Sequence, residues 1–296
     1  MVRRSVFREA LTILALLGAR VASADSINFT GHVGNDFNPD TDQSVTVVPG
    51  LSNPLFIGQP DWMTNAGWYS GWAIKDIRTS YDSKTDILSV GVNTFTNPHG
   101  TPTIAGDAYG SGTQADPNLQ QRAGGVNPPS FGGDKSITLA FAPDGPDGTK
   151  SPGTPVIVAG IPADKSVAGT GTIDGFTVST YNGLNLGLAS NYGTKLPSNT
   201  GNLAFDPNLD HPGFEFTIKN FSKIPGLDPS KGYWIEAYAG SAQDRAVGET
   251  QLPFYRIPGL AGQTIGSSIP EPTTIVAWTV VIGGAIWRLR RRPAKD

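Results

Sequence analysis

The chain has 296 residues, no cysteine and a formal net charge of −3 at pH 7. Without cysteine it holds no disulfide, no thiolate nucleophile and no Cys-ligated zinc or iron–sulfur site. Residues 25–268 carry 13 Lys and Arg against 22 Asp and Glu, a net charge of −9, while nine basic residues crowd the two ends; an acidic body repels nucleic acid and anionic surfaces, so no nucleic-acid partner is expected.

Gly (37) and Pro (24) make up roughly a fifth of the chain, which is turn-rich but below the level at which composition alone argues disorder. Strand-like alternation between the Gly/Pro clusters predicts an all-β fold. The body, about 244 residues, suits one all-β domain or two small ones.

Residues 1–24 read as a secretory signal. Arg3, Arg4 and Arg8 form the basic start, Ala10 to Ala19 the apolar run, and Ala22-Ser23-Ala24 the small-residue cleavage site. Arg3-Arg4 invites a twin-arginine reading, but Phe7 stands one place late for that motif, so general secretion is the expectation.

The mature chain then starts at Asp25, with a strand predicted over Ile27 to Val33. Asp36, Asn38, Asp40 and Asp42 follow, oxygen-bearing side chains at every second position. Calcium takes six to eight oxygen ligands, and such a loop can supply several. An EF-hand starting at Asp36 would need Gly at 41 and Glu at 47, where this chain has Thr41 and Val47. A solvated acidic turn is therefore the preferred reading and a calcium loop the alternative.

Trp62, Trp68, Tyr69 and Trp72 cluster next. Exposed together, such rings make a flat stacking surface with polar tips, as sugar binding uses. Buried, they are core, the commoner fate of Trp. Trp72 to Tyr81, a turn at Asp82 to Asp86, and Ile87 to Phe95 predict a β-hairpin, with β-branched and aromatic arms. The hairpin has no second copy at blade spacing, which argues against a propeller.

Residues 97–134 show little pattern beyond a short helix signal, with Asp116 as N-cap, Pro117 at the first position and Gly124 closing it. Within them, Gly106 to Gly112 resembles the Gly-Asp-x-Asp-Gly-Asp-Gly cation loops of surface proteins. Tyr109 and Ser111 stand where carboxylates would, which argues against a cation there. Strands are predicted at Ser136–Ala142 and Pro155–Ile161 around an acidic turn holding Asp144 and Asp147, an order similar to calcium-bearing turns of integrin-like repeats. Further strands are predicted at Thr172–Tyr181, Phe214–Asn220 and Tyr233–Ala239. In the second of these Phe214, Phe216 and Ile218 alternate with Glu215, Thr217 and Lys219, the period of a half-buried strand. A polar segment, Ser241 to Glu249, closes the body, and residues 258–268 read as an uncharged Gly/Ser linker.

The last 28 residues carry the most specific signal. Pro270-Glu271-Pro272 breaks any arriving helix and sets the start of a new one. An uncharged run from Thr274 to Trp287 follows, and Arg288, Arg290, Arg291 and Arg292 close it. Clustered arginine stays on the cytoplasmic face of a membrane. Fourteen helical residues rise about 21 Å against a hydrocarbon core of roughly 30 Å, which is short for a permanent span. The tail resembles the PEP-CTERM sorting signal of exported bacterial proteins. That resemblance covers the tail alone. It implies recognition and removal of the tail by an exosortase, a membrane protease, after transient residence in the inner membrane, and delivery to the cell envelope or extracellular matrix. An ordinary C-terminal anchor is the alternative.

No Gly-x-Ser-x-Gly elbow, His-Glu-x-x-His helix, phosphate loop or dinucleotide fingerprint occurs in the sequence. His32, His99 and His211 are scattered. An enzyme is not expected. The fold expected is a single antiparallel, jelly-roll-like β-sandwich over residues 25–257, with two small sandwiches split near 125–135 as the runner-up. The function expected is structural or adhesive. The alternatives are a glycan-binding module, calcium-assisted or not, contacting surface polysaccharide, and an extracellular hydrolase with two carboxylates facing across a cleft.

Overall fold

Short runs of alternating apolar residues, punctuated by Gly, Pro, Asp and Asn, fold into eleven strands among the described residues. The computed structural model describes residues 27–42, 44–53, 69, 71–96, 135–146, 151–161, 176–183, 192–204, 213–241 and 250–259. All belong to the first of two compact units, Met1–Gly262; the second, Gln263–Asp296, lies outside them. In chain order the elements are one helical turn α1 (Val33–Asp36), then β1 (Thr46–Pro49), β2 (Ile74–Asp82), β3 (Ile87–Thr94), β4 (Lys135–Ala142), β5 (Ile157–Ile161), β6 (Thr177–Tyr181), β7 (Tyr192–Lys195), β8 (Thr200–Ala204), β9 (Phe214–Lys219), β10 (Gly232–Ser241) and β11 (Thr250–Pro258). A 3₁₀ turn, Phe221–Lys223, links β9 to β10.

The strands form two antiparallel sheets, ordered β1-β2-β3-β9-β8 and β11-β10-β4-β5-β6-β7. Side chains alternate between faces, so each sheet turns one apolar row set inward. Ile77, Leu88, Val90, Val92, Phe214, Phe216 and Ile218 come from the first sheet. They share one core with Ile137, Leu139, Phe141, Ile157, Val178, Ile235 and Ile257 of the second. Rings bridge the layers: Phe176 lies 5.2 Å from Phe216, and Phe221 sits between Phe141 at 6.0 Å and Tyr233 at 5.0 Å, centroid to centroid. The described residues are thus a β-sandwich whose single core draws on both sides of residues 125–135, which sets aside two separate sandwiches.

The chain crosses between sheets after β3, after β7 and after β9. The long-range pairs β3–β9 and β4–β10 are therefore staggered along the sequence, where a jelly roll would nest them. The two layers meet at both sides of the sandwich. At one side β1 lies against β11. At the other, residues 196–199 pass directly from β7 to β8, with the Leu196 amide donating to the Val178 carbonyl at 2.7 Å.

Residues 27–33, predicted as a strand, form none. The chain turns at Gly31 (φ 87°), and the Asp36 carboxylate accepts from the Thr30 amide at 2.6 Å and its hydroxyl at 2.8 Å. Ile27 and Phe29 pack with Val33, Phe37 and Val45 in a second small cluster instead of joining a ladder. Four strands escaped the sequence pattern. β1, β7 and β8 are short edge strands with mixed exposure. β11 carries Pro253, which an edge strand tolerates, and its pairing with β10 shifts register at that point, between Ile235 and Ala237.

Candidate functional site

Val47, Arg78, Gly91 and Glu215 stand opposite one another across β1, β2, β3 and β9, on the outward face of the first sheet. Such a face is normally wet. Here residues 27–42 cross it as a strap.

Arg78, Gly91 and Glu215 each hold the strap in a different way. Arg78 Nη1 donates to the carbonyls of Gly34 (2.9 Å) and Phe37 (2.7 Å), while its Nε is held by Asp76 Oδ1 at 2.9 Å. Asp76 is braced in turn by Asn93 Nδ2 at 3.0 Å. Gly91 leaves the space the strap needs: a Cβ there would lie 2.7 Å from Val33 Cγ1 and 2.9 Å from Phe37 Cε2. Ser44 and Ser80 hydroxyls meet at 2.6 Å. Glu215 Oε2 accepts the Gly31 amide at 2.9 Å, and the Gly213 amide donates to the Gly31 carbonyl at 2.8 Å.

Glu215 is the unusual group. Its alternation with Phe214 and Phe216 predicts exposure, yet it is 0 % exposed. Its Oε1 has no hydrogen-bond donor. Burial pushes its carboxyl up, the Gly31 amide opposes this, and the adjoining Asp36 carboxylate adds to the rise, leaving a pKa of about 8. Such a rise favours the protonated carboxyl, and the adjoining Asp36 is the acceptor its proton would have. The arrangement is a carboxylic acid against a carboxylate beneath a strap, a proton-holding pair.

Of the calcium candidates, Asp36 is turned to Thr30 and Glu215. Asn38 Oδ1 accepts the Asp40 amide at 2.9 Å and Asp42 Oδ1 the Ser44 amide at 2.8 Å, both local turn caps, and Asp40 is exposed. The four do not converge. Among the described residues no group of three or more His, Cys, Asp or Glu side chains could hold a metal ion. Of the glycan candidates, Trp72 is a core residue, 1 % exposed, and offers no face to a sugar. Tyr69 is half-buried, and Trp62 and Trp68 lie outside the described residues.

Asp144 stands in the turn after β4 and is clamped there: Oδ1 accepts from Trp234 Nε1 at 2.9 Å and Arg256 Nε at 3.0 Å, and Oδ2 from Arg256 Nη2 at 2.9 Å. Asp147, His99 and His211 lie outside the described residues, as do Ala22, Ala24, Pro270, Glu271, Pro272 and the Arg288–Arg292 cluster. His32 lends its carbonyl to the first turn of α1. Among the described residues no helix is long and apolar enough to cross a membrane. Sequence reasoning missed Glu215 because its partners Gly31 and Asp36 lie far away in the chain, Gly31 by 184 residues. No family model, no curated protein and no solved structure matches this chain.

Proposed function

We propose that this is an exported protein of the cell envelope or extracellular matrix, sorted by an exosortase through its C-terminal tail, with the β-sandwich as a structural or adhesive ectodomain. One observation carries the reading: three unlike elements stand in order at the terminus, Pro270-Glu271-Pro272, the uncharged run Thr274 to Trp287, and Arg288 to Arg292. The motif serves recognition, the apolar segment docks in the inner membrane, and the arginines hold its end on the cytoplasmic side. Ala22 and Ala24 mark the site where the secretory machinery removes the leader.

The body supports a passive role. Asn38 and Asp42 cap local turns, and the buried Glu215 faces the strap instead of a cleft. The tryptophan platform loses Trp72 to the core, which weakens the polysaccharide-binding alternative.

The test uses the full chain with an epitope after Asp296, expressed in cells with and without an exosortase. The epitope should vanish from the envelope pool where the protease is present and persist where it is absent. Changing Pro270, Glu271 and Pro272 to Ala should restore it in the first strain. An epitope that persists regardless of the protease would leave an ordinary membrane anchor.

A further inference from the structure

We infer that Glu215 and Asp36 share one proton, and that this proton latches the N-terminal strap onto the first sheet, releasing it as the medium turns alkaline. The inference is independent of the sorting proposal.

Four observations converge. Glu215 is fully buried, and one of its oxygens has no donor. The other holds the Gly31 amide at the first bend of the strap. Asp36, at the end of α1, adjoins the same carboxyl and at the same time ties down Thr30 through both its oxygens. The strap itself rests on few apolar contacts, the cluster of Val33, Phe37 and Val45 with Ile27 and Phe29.

The charges around the pair leave the proton as its counterweight. Glu215 faces Gly31 and Asp36 on the strap, Gly91 on β3 and Ala204 on β8. Of these only Asp36 ionises. Arg78 is turned to Asp76 and to the strap carbonyls of Gly34 and Phe37. Lys219, on the same strand, is exposed, and His32, half-buried on the strap beside Gly31, is not among the groups that set the Glu215 carboxyl. A cation is the other possible counterweight, but Asp36 already accepts three bonds from Thr30, and no third carboxylate converges among the described residues.

Below the folded-state pKa, Glu215 Oε1–H donates to Asp36, and the pair carries a single negative charge. Above it the proton passes to solvent, and two adjoining carboxylates repel within a buried site. The strap then loosens at Gly31, where Glu215 holds it, while Arg78 still holds Gly34 and Phe37. The sign follows from linkage. Glu215 is protonated in the folded state well above the pH at which the unfolded chain loses that proton. Its contribution is thus complete below about pH 4, where the unfolded chain is protonated too, and is lost progressively as pH rises to about 8.

The test is hydrogen exchange by mass spectrometry on the full-length chain from pH 5 to 9, with rates normalised to intrinsic exchange. Residues 27–42 are followed against β4 as a folding control. In wild type, strap protection should fall about a hundredfold between pH 6 and 9, since closing retains one proton and weakens about tenfold per pH unit until Glu215 titrates near 8. In Glu215→Gln the amide oxygen accepts from Gly31 and the NH₂ donates to Asp36, so protection should stay flat and high. A flat wild-type response overturns the inference without reference to the variant. So does an equal fall in both proteins. Protection regained at pH 9 with millimolar calcium chloride in wild type, but not in Glu215→Gln, would assign the pair to a cation and overturn the shared proton.

Discussion

Asp144 and Arg256, 112 residues apart in the chain, meet as a two-pronged ion pair, Nε to Oδ1 at 3.0 Å and Nη2 to Oδ2 at 2.9 Å. Trp234 adds its indole N–H to Oδ1 at 2.9 Å, and Arg256 Nη2 also donates to the Lys231 carbonyl at 2.9 Å. The pair pins the edge strand β11 to the turn after β4. A planar guanidinium fits this fork and an ammonium does not.

Arg256→Lys should therefore lower stability by about 1 kcal/mol, and Arg256→Ala by about 1–2 kcal/mol. The pair is partly exposed, which keeps both figures below those of a buried pair. Urea midpoints at constant slope measure this. Equal stability of the lysine variant and wild type would show that the fork geometry contributes nothing.

Gly91→Ala tests the seating of the strap. The new methyl would fall 2.7 Å from Val33 Cγ1 and 2.9 Å from Phe37 Cε2, an overpacked contact costing about 1–3 kcal/mol. The strap should yield before the core does. Limited proteolysis should then cut within residues 27–42 far faster than in wild type, with β2 and β3 still protected. Unchanged cutting would contradict the close approach.

Asp86 closes the β2–β3 hairpin in a left-handed conformation, φ 56°. Its carboxylate accepts the Ser222 amide and hydroxyl, each at 2.8 Å, and the Tyr81 hydroxyl at 2.9 Å. Burial opposes its charge, but the Ser222 and Tyr81 bonds outweigh it and hold the carboxyl below its ordinary range. Burial and Asp86 together push the Tyr81 hydroxyl up to about 12. Asp86→Ala should cost about 2 kcal/mol, and Asp86→Gly less, since glycine accepts the positive φ. A lowered folded pKa gives stability that is present above about pH 4, the unfolded carboxylate value, and lost as pH falls through the folded one. The wild-type urea midpoint should drop from pH 6 to pH 3, with a smaller drop in Asp86→Asn. Parallel curves would contradict this.

Phe216→Ala opens the middle of the core, beside Phe176 at 5.2 Å and Phe214 at 6.0 Å. The expected loss is about 3–5 kcal/mol. Tyr255→Ala, at an exposed position on β11, should stay within about 0.5 kcal/mol. Comparable losses at the two sites would mean that the core lies elsewhere.

The sequence showed most where local pattern and tertiary role agree. The β2–β3 hairpin was legible from its β-branched arms and its Asp82 to Asp86 turn, and the alternation of Phe214, Phe216 and Ile218 gave β9. Pattern misled where a covering layer changes a residue's surroundings. Glu215 reads as solvent-facing by period, and only the strap buries it. Ile27 and Phe29 alternate like a strand, but a bend at Gly31 sends them into a side cluster. β11 was hidden by Pro253, because a proline argues against a strand unless the strand is known to lie at an edge. Trp72, within an aromatic-rich stretch, gave no local sign of which face it takes, and the core took it.

The most direct test of the central proposal is the intact mass of the protein recovered from envelopes of cells that possess the exosortase. The expected species begins at Asp25 and ends near Pro270-Glu271-Pro272, without the Thr274 to Trp287 run or its arginines. A mass that still includes Arg288 to Asp296 would contradict it and make the protein a single-pass membrane protein.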